Sequence, residues 1–196
     1  MIAIIDSGGA NIASIKFALE RLNIKAMLTR NIDTIKAADR VILPGVGAAP
    51  GAMRKLSDYS LIDCIQSLTQ PVLGICLGMQ LLFKHTQEGD VEMLDIIPGK
   101  IEKFATEIGK TIPHTGWNTV HGYDHKLLRD IPQDSFFYFV HSYFAPIGDF
   151  NIGTCNYGES FSAIVVKDNF IGCQFHPERS GEMGSLLLKN FAEIKP

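Results

Sequence analysis

One cysteine stands where a folded chain can hold a nucleophile. Cys76 follows the apolar run 72–75, which is typical of a buried strand, and the residues after it suit a helix. Gly74 and Gly78 flank it. A side chain on such a sharp turn forces a strained backbone, and glycines beside it let neighbouring chain pass closely. The pattern predicts a nucleophilic cysteine on a strand-turn-helix.

A base and a carboxylate follow about a hundred residues later, in the segment 174–178. His176 can take and return the proton of Cys76, and Glu178 can fix the imidazole tautomer and stabilise its cation. The alternative is a buried structural cysteine and a surface His-Pro turn, which is the usual fate of an isolated Cys or His. The order and separation of the two segments favour a Cys-His-Glu triad.

These two segments resemble those of the triad glutamine amidotransferases, in which the nucleophile motif reads G-x-C-x-G-x-Q and the distal motif reads H-P-E. The resemblance covers nearly the whole chain and narrows to the glutaminase subunits of imidazole glycerol phosphate synthase. The narrowing depends on the segments 43–47, 113–118, 138–143, 155–158 and 176–180. It implies an enzyme that hydrolyses L-glutamine to glutamate and ammonia through a thioester on Cys76.

The segment 43–47, Leu-Pro-Gly-Val-Gly, ends another apolar run. Taken alone it is a turn at the end of a strand. The resemblance implies that backbone N–H groups at Gly45 and Val46, together with the N–H of Leu77, bind the oxyanion that forms during attack on the carboxamide. It also implies that the Gly45–Val46 peptide can flip between states that offer and withhold a donor.

Three further residues are implied to contact the glutamine. They are Gln80 and the backbone of Ser142 and Tyr143. Their alternative roles are an amide on a helix surface and an ordinary strand.

The resemblance also implies a partner protein. Ammonia released into water would be protonated and lost, so a chain that only makes ammonia should dock on the enzyme that consumes it. In the resembling synthase that enzyme is a (β/α)₈ cyclase subunit, which forms imidazole glycerol phosphate and the aminoimidazole carboxamide ribonucleotide in histidine biosynthesis. The resemblance implies a heterodimer with this cyclase. Asn11, Pro113, Trp117 and Asn118 are implied to lie at or near this interface. Tryptophan is a frequent interface anchor, although a Trp in the core is the alternative.

Composition excludes several other classes. The chain has 196 residues, of which 46% are hydrophobic, so a core can form without disulfides or a structural metal. A net charge of −3 argues against nucleic-acid binding, which needs a basic surface.

The chain also lacks the sequence signals of membrane insertion and secretion. No apolar stretch reaches membrane-spanning length, and residues 1–6 lack the basic region of a signal peptide. Four cysteines without a C-x-x-C pair fit a reducing cytoplasm and argue against zinc. We expect no cofactor and no metal.

The order of apolar segments predicts the fold class. Short apolar runs at 2–5, 25–28, 41–43 and 72–75 alternate with helix-like segments, which indicates βαβ units. Closely spaced strand-like segments follow at 136–140, 162–166 and 170–175, before a final helix near 184–194. We therefore expect one α/β domain over residues 1–196. It should have a doubly wound, mostly parallel central sheet with helices on both faces and an antiparallel β extension.

Residues 7–11 could be mistaken for a phosphate loop. They match neither G-x-G-x-x-G nor G-x-x-x-x-G-K-[ST], and a tight turn between strand and helix is the better interpretation. Two rival functions remain open. A stand-alone cysteine hydrolase or peptidase would cleave peptides without preferring glutamine, and a non-catalytic scaffold would not need an intact triad.

Overall fold

The computed structural model describes residues 1–6, 12–45, 47–105 and 109–195. The strands are β1 (Ile2–Ile5), β2 (Ala26–Thr29), β3 (Arg40–Gly45), β4 (Val72–Cys76), β5 (Phe83–Thr86), β6 (Val91–Glu92), β7 (Ile97–Lys103), β8 (His114–Gly122), β9 (Ser135–His141), β10 (Tyr143–Phe144), β11 (Asn151–Asn156), β12 (Ser160–Lys167) and β13 (Phe170–Cys173). The helices are α1 (Ile12–Arg21), α2 (Ile32–Ala37), α3 (Ala49–Asp58), α4 (Ile62–Gln66), α5 (Leu77–Gln80) and α6 (Gly181–Glu193), and 3₁₀ turns span Lys126–Leu128 and Pro177–Arg179. No helix in these ranges is long and apolar enough to cross a bilayer.

Four strands from the first half of the chain, together with β13, form a parallel sheet covered on both faces. Its strand order is β2-β1-β3-β4-β13, and each neighbouring pair is parallel. Alternate residues of β1 enter opposite cores, Ile2 and Ile4 on the side of α1 and α6, and Ala3 and Ile5 on the side of α2, α3 and α4. Burial on both faces explains the continuous apolar runs, since neither face meets water. The predicted doubly wound parallel sheet is confirmed.

In the order of strands across the sheet, the parallel part includes β13, and the antiparallel extension begins only at the next strand, β12. The sequence pattern groups β13 with the extension, yet this strand pairs in parallel with β4. β12, β11, β8 and β9 then add antiparallel to complete a nine-stranded sheet. A strand's partner depends on where the chain returns to the sheet, and its own residue pattern does not contain this information.

A second sheet of four strands, in the order β10-β7-β5-β6, packs beside the first. Two of its strands, β6 and β10, have only two residues each. Such short segments carry no readable periodicity, which is why the sequence did not predict this sheet.

The edge strand β9 also contacts the chain just after β13, a strand in the middle of the nine-stranded sheet. β9 is the last strand in the pairing order, yet the carbonyl of Tyr138 accepts a hydrogen bond of 2.9 Å from the N–H of His176, just beyond β13. The pair of strands β8 and β9 therefore lies over the carboxyl ends of β4 and β13. Carboxyl ends of parallel strands are where ligands bind in α/β sheets.

Candidate active site

Cys76 is the last residue of β4, and α5 begins at the next residue. Its backbone has φ 54° and ψ −113°, a strained combination for a residue with a side chain. Residues 72–75 are buried, whereas Cys76 is partly exposed. The sharp turn thus presents one thiol at the end of a buried strand, as the sequence predicted.

Glycines allow this turn to sit between β3 and β4. A Cβ atom on Gly78 would lie 1.9 Å from the carbonyl oxygen of Leu43, and one on Gly74 would lie 2.6 Å from the carbonyl oxygen of Gly78. A Cβ on Gly45, at the end of β3, would lie 2.2 Å from the N atom of Gly78. No side chain fits at these distances. The expected close approach of chain at Gly74 and Gly78 is confirmed, and Gly45 shares in it.

His176 and Glu178 form a buried pair next to Cys76. The Nδ1 atom of His176 lies 2.9 Å from the Oε1 atom of Glu178, whose side chain has no exposed surface. Burial lowers the pKa of His176, but hydrogen bonds to Cys76 and Glu178 and the charges of both raise it, and the net pKa is about 10. The raised pKa favours the protonated imidazole, which is hydrogen-bonded to Cys76 on one side and to the Glu178 carboxylate on the other.

Backbone contacts with β9 hold the base in place. Tyr138 accepts from the N–H of His176 through its carbonyl and donates its own N–H to the hydroxyl of Ser180 at 3.0 Å. The same hydroxyl donates to the carbonyl of His176 at 2.7 Å. The segment from His176 to Ser180 is thus clamped to the strand that covers the site.

Gln80 is buried, not on a helix surface. Its Nε2 atom donates to the carbonyl of Tyr143 at 2.8 Å and to the Oε1 atom of Gln174 at 2.9 Å. Gln174 is fully buried, and its Nε2 atom lies 3.8 Å from the Sγ atom of Cys76. Ser142, which joins β9 to β10, and Tyr143, the first residue of β10, are half-buried beside this group. The structure brings these predicted residues together and adds Gln174, whose only sequence signal was its place beside the His-Pro-Glu motif.

Two of the three predicted oxyanion residues, Gly45 and Leu77, lie beside Cys76. Gly45 is paired with Cys76 in the register of β3 and β4, and Leu77 is the first residue of α5. Just downstream, the N–H of Ala49 donates to the carboxylate of Glu88 at 2.7 Å, which anchors the start of α3. Val46 lies outside the described residues.

Among the described candidate interface residues, Trp117 faces the outer side of β8, whereas the Asn118 side chain faces inward and bonds His114. Pro113 precedes the strand and is exposed, and Trp117 is 55% exposed, so the alternative of a core tryptophan is wrong. Asn118 is half-buried. Trp117 contacts Tyr138 across the strand pair, with ring centroids 6.0 Å apart. Asn11 and the turn 7–11 lie outside the described residues.

The other three cysteines, Cys64, Cys155 and Cys173, are buried and unpaired. Burial raises the pKa of Cys155 to about 12 and that of Cys173 well above the ordinary range. Cys76 is the one cysteine that is not buried. Within the described ranges, no group of three or more His, Cys, Asp or Glu side chains is arranged to hold a metal ion.

Comparison with known proteins places this geometry in a family. The family model of class-I glutamine amidotransferases matches residues 3–194. A solved glutamine amidotransferase superposes with a TM-score of 0.76 at 18% identity, covering 98% of this chain and 97% of its own. The structure of PurLQS from Thermotoga maritima gives a TM-score of 0.71 at 17% identity, covering 97% of this chain and 96% of its own. At such identities these two structures support the fold alone.

Curated relatives narrow the assignment. The imidazole glycerol phosphate synthase subunit HisH of Pasteurella multocida is 51% identical over 98% of this chain and 97% of its own. The subunits of the same name from Mannheimia succiniciproducens and Haemophilus influenzae are 52% and 50% identical, over 97% and 100% of this chain and 98% of each relative. The chain therefore belongs to the class-I glutamine amidotransferases, in the group of HisH subunits of imidazole glycerol phosphate synthase.

Proposed function

We propose that this protein is the glutaminase subunit of an imidazole glycerol phosphate synthase, with Cys76, His176 and Glu178 as its catalytic triad. It hydrolyses L-glutamine to glutamate and ammonia and passes the ammonia to a cyclase subunit, in histidine biosynthesis. The observation that carries the proposal is a thiol on a strained turn that is hydrogen-bonded to a buried His-Glu pair. The names of the relatives support the same assignment.

The first half of the reaction forms a thioester. The Cys76 thiolate attacks the carboxamide carbon of glutamine, and backbone N–H groups around Gly45–Val46 and Leu77 stabilise the resulting oxyanion. His176, held as a cation by its two partners, gives its proton to the departing nitrogen. The C–N bond breaks, ammonia leaves, and the glutamyl group remains bonded to the Cys76 sulfur.

The second half releases glutamate. His176 is now neutral, and it takes a proton from a water molecule whose oxygen attacks the thioester carbon. The C–S bond breaks, glutamate leaves, and the cysteine is again a thiolate beside an imidazolium. Glu178 holds the imidazole in position throughout and stabilises its charge, because its Oε1 atom stays at the Nδ1 side of the ring.

Glutamine selectivity is proposed to come from Gln80 and the backbone of Ser142 and Tyr143. Hydrogen bonds link the Tyr143 carbonyl to Gln80 and Gln80 to Gln174, whose amide lies 3.8 Å from the Cys76 sulfur. A glutamine side chain reaching Cys76 would place its amino acid end among them.

The outer side of β8 and β9 is the proposed docking surface for the cyclase. Trp117 and Phe136 are more than half exposed, and Val140 is 38% exposed. The carbonyl of Val140 lies 3.8 Å from the Cys76 sulfur, so this apolar surface borders the point where ammonia forms. Pro113 and Asn118 lie on the same strand pair or next to it, and Asn11 remains part of the proposal. Four unpaired cysteines support a cytoplasmic location.

The test is glutamate release by the purified chain alone, with the cyclase, and with the cyclase carrying its nucleotide ligand. We expect slow hydrolysis alone and a large increase in the liganded complex, because one oxyanion donor is typically worth about 10²–10³ in rate and the Gly45–Val46 peptide can add or remove one. Equal turnover in all three samples would favour a constitutive glutaminase. Peptide cleavage without preference for glutamine would instead favour a cysteine peptidase.

Chemical labelling tests the nucleophile separately. The glutamine mimic 6-diazo-5-oxo-norleucine carries an electrophilic carbon and should modify Cys76 while sparing the three buried cysteines. Peptide mapping locates the adduct. An adduct on Cys64, Cys155 or Cys173 would contradict the assignment.

A further inference from the structure

Two buried histidines have no part in the reaction steps above. His114 of β8 and His141 of β9 are direct cross-strand partners and are only 2% and 6% exposed. The Nδ1 atom of His114 lies 3.0 Å from the Nε2 atom of His141. The His114 ring stacks on Phe139 and on Tyr157, with centroids 4.9 and 3.9 Å away. Two polar rings buried among aromatic side chains need their hydrogen bonds, because unpaired buried polar groups are costly.

The inner end of this pair determines where the protons are. The Nδ1 atom of His141 lies 2.8 Å from the carbonyl oxygen of Tyr143, which can only accept, so Nδ1 carries the proton. A neutral imidazole has one N–H, so the Nε2 atom of His141 is an acceptor. It must receive its hydrogen from the Nδ1 atom of His114, which leaves the Nε2 atom of His114 without a proton.

The outer end gives the same answer independently. The Oδ1 atom of Asn118 accepts from the N–H of Thr119 at 2.9 Å, and its Nδ2 atom donates to the carbonyl of Asn156 at 2.9 Å. These backbone partners fix the orientation of the amide. The second hydrogen of Nδ2 is then available for the Nε2 atom of His114, at 3.3 Å, which must be unprotonated to accept it. Burial supports neutral rings, because it lowers the pKa of His114 to about 4 and that of His141 to about 3.

The chain of hydrogen bonds ends at the glutamine site. The Tyr143 carbonyl that accepts from His141 also accepts from the Nε2 atom of Gln80. Gln80 continues to Gln174, which contacts the sulfur of Cys76. One carbonyl thus joins the histidine pair to the residues proposed to bind substrate.

We propose that His114 and His141 are positioning residues, which as a neutral pair with both protons on Nδ1 fix the Tyr143 carbonyl and so orient the Ser142–Tyr143 backbone and the Gln80 amide for glutamine. The inference rests on the proposed function for the identity of the substrate. A role in packing alone would require two flat rings in this space. The proposed chain of hydrogen bonds also requires that the side chain of residue 141 donate to the Tyr143 carbonyl and accept from His114.

Two substitutions at residue 141 separate these roles. In His141→Asn the side-chain amide can occupy the place of Nδ1 and still donate to Tyr143, but it loses the bond to His114. In His141→Gln the longer side chain can accept from His114, but it no longer donates to Tyr143. Both leave the aromatic surroundings with a similar loss of ring contacts. His121→Asn, on the exposed side of β8, is the control.

The measurements are the KM for glutamine, the protection that glutamine gives Cys76 against iodoacetamide, and the iodoacetamide rate itself. We expect His141→Gln to raise the KM about tenfold, the usual scale for one hydrogen bond at a binding site, and to weaken protection equally. The iodoacetamide rate should stay at the wild-type value, and His141→Asn should recover most of the KM. Equal KM values for the two variants, or a changed iodoacetamide rate, would overturn the proposal.

Nitrogen NMR of the wild-type protein labelled at histidine tests the tautomers without any variant. The expected pattern is two neutral imidazoles, both protonated at Nδ1, at neutral pH. Either ring protonated at Nε2 or charged would overturn the inference, whatever the activity. Failure of the proposed function would look different, since wild-type protein would then show neither glutamate release with the cyclase nor protection by glutamine.

Discussion

The turn that carries the Cys76 thiol and the strand pair that covers it are held in place by different kinds of contact. The nucleophile turn, residues 74–78, is positioned by steric exclusion, because backbone from β3 and α5 passes where side chains would otherwise be. The strand pair β8 and β9 is positioned by polar side chains, through the bonds among Asn118, His114, His141 and Tyr143. Backbone contact tolerates no added atom, whereas a set of hydrogen bonds can lose one member and keep the rest.

The difference implies two kinds of response to mutation. Changes at the nucleophile turn should act on the chemical step and be severe. Changes at the strand pair should act on binding, of glutamine on its inner side and of the partner on its outer side, and be graded. The predictions below test this division in order of expected size.

Removal of the nucleophile should give the largest effect. Cys76→Ala should lower glutamine hydrolysis by about 10⁶, to background, since losing the nucleophile of a triad typically costs this much. The complex should still use added ammonium salts, because the synthase site is proposed to lie on the cyclase. Glutamate release and ammonia-dependent product formation measure the two activities. Cys64→Ala, which removes a buried sulfur from α4, is the matched control. Loss of both activities would contradict the proposed division of labour.

An added methyl group at the turn should come next. Gly78→Ala places a Cβ atom 1.9 Å from the Leu43 carbonyl oxygen, so the turn must move, and a shift of about 1 Å in a catalytic group can cost about 10² in rate. Gly51→Ala is the control, because nothing lies within 4 Å of its Cβ and alanine favours the helix α3. Turnover and thermal unfolding should be measured together. Normal turnover in Gly78→Ala would show that the turn is not sterically fixed.

The same division explains what the sequence could predict. The parallel sheet, the nucleophile turn and the family were predicted correctly, because they depend on local signals: apolar runs, two flanking glycines and short motifs. The parallel pairing of β13 and the second sheet were missed because they depend on contacts distant in sequence. The roles assigned to the individual site residues stay predictions. His114 and His141 belong to the motif segments 113–118 and 138–143, but a hydrogen bond between strands has no signature in either segment alone.

Partner binding should respond less strongly than chemistry. Trp117→Ala should weaken cyclase binding by about 10–30-fold, the usual scale for an exposed aromatic anchor, while glutamine protection of Cys76 in the free chain stays unchanged. Met27→Ala is the control, since Met27 is 47% exposed on β2 at the opposite edge of the sheet. Titration of labelled cyclase measures both affinities. Equal weakening by the two substitutions would place the docking surface elsewhere.

The smallest effect concerns the pH dependence of stability. In the unfolded chain His141 has an ordinary pKa of 6.5, whereas burial lowers the pKa of the folded protein's His141 to about 3. As the pH falls below 6.5, the unfolded chain therefore binds a proton at His141 that the folded protein does not bind. The free energy of unfolding decreases until the pH reaches the pKa of the folded protein's His141. His141→Asn removes this group but keeps a donor for Tyr143. The free energy of unfolding of the wild type should fall between pH 7 and pH 5 by about 1–2 kcal/mol more than that of the variant. Urea unfolding at both pH values measures it, with the exposed His121→Asn expected to follow the wild type. Parallel curves for wild type and His141→Asn would mean that His141 takes up its proton in the folded protein over the same pH range as in the unfolded chain, and the buried neutral hydrogen-bond chain would then be wrong.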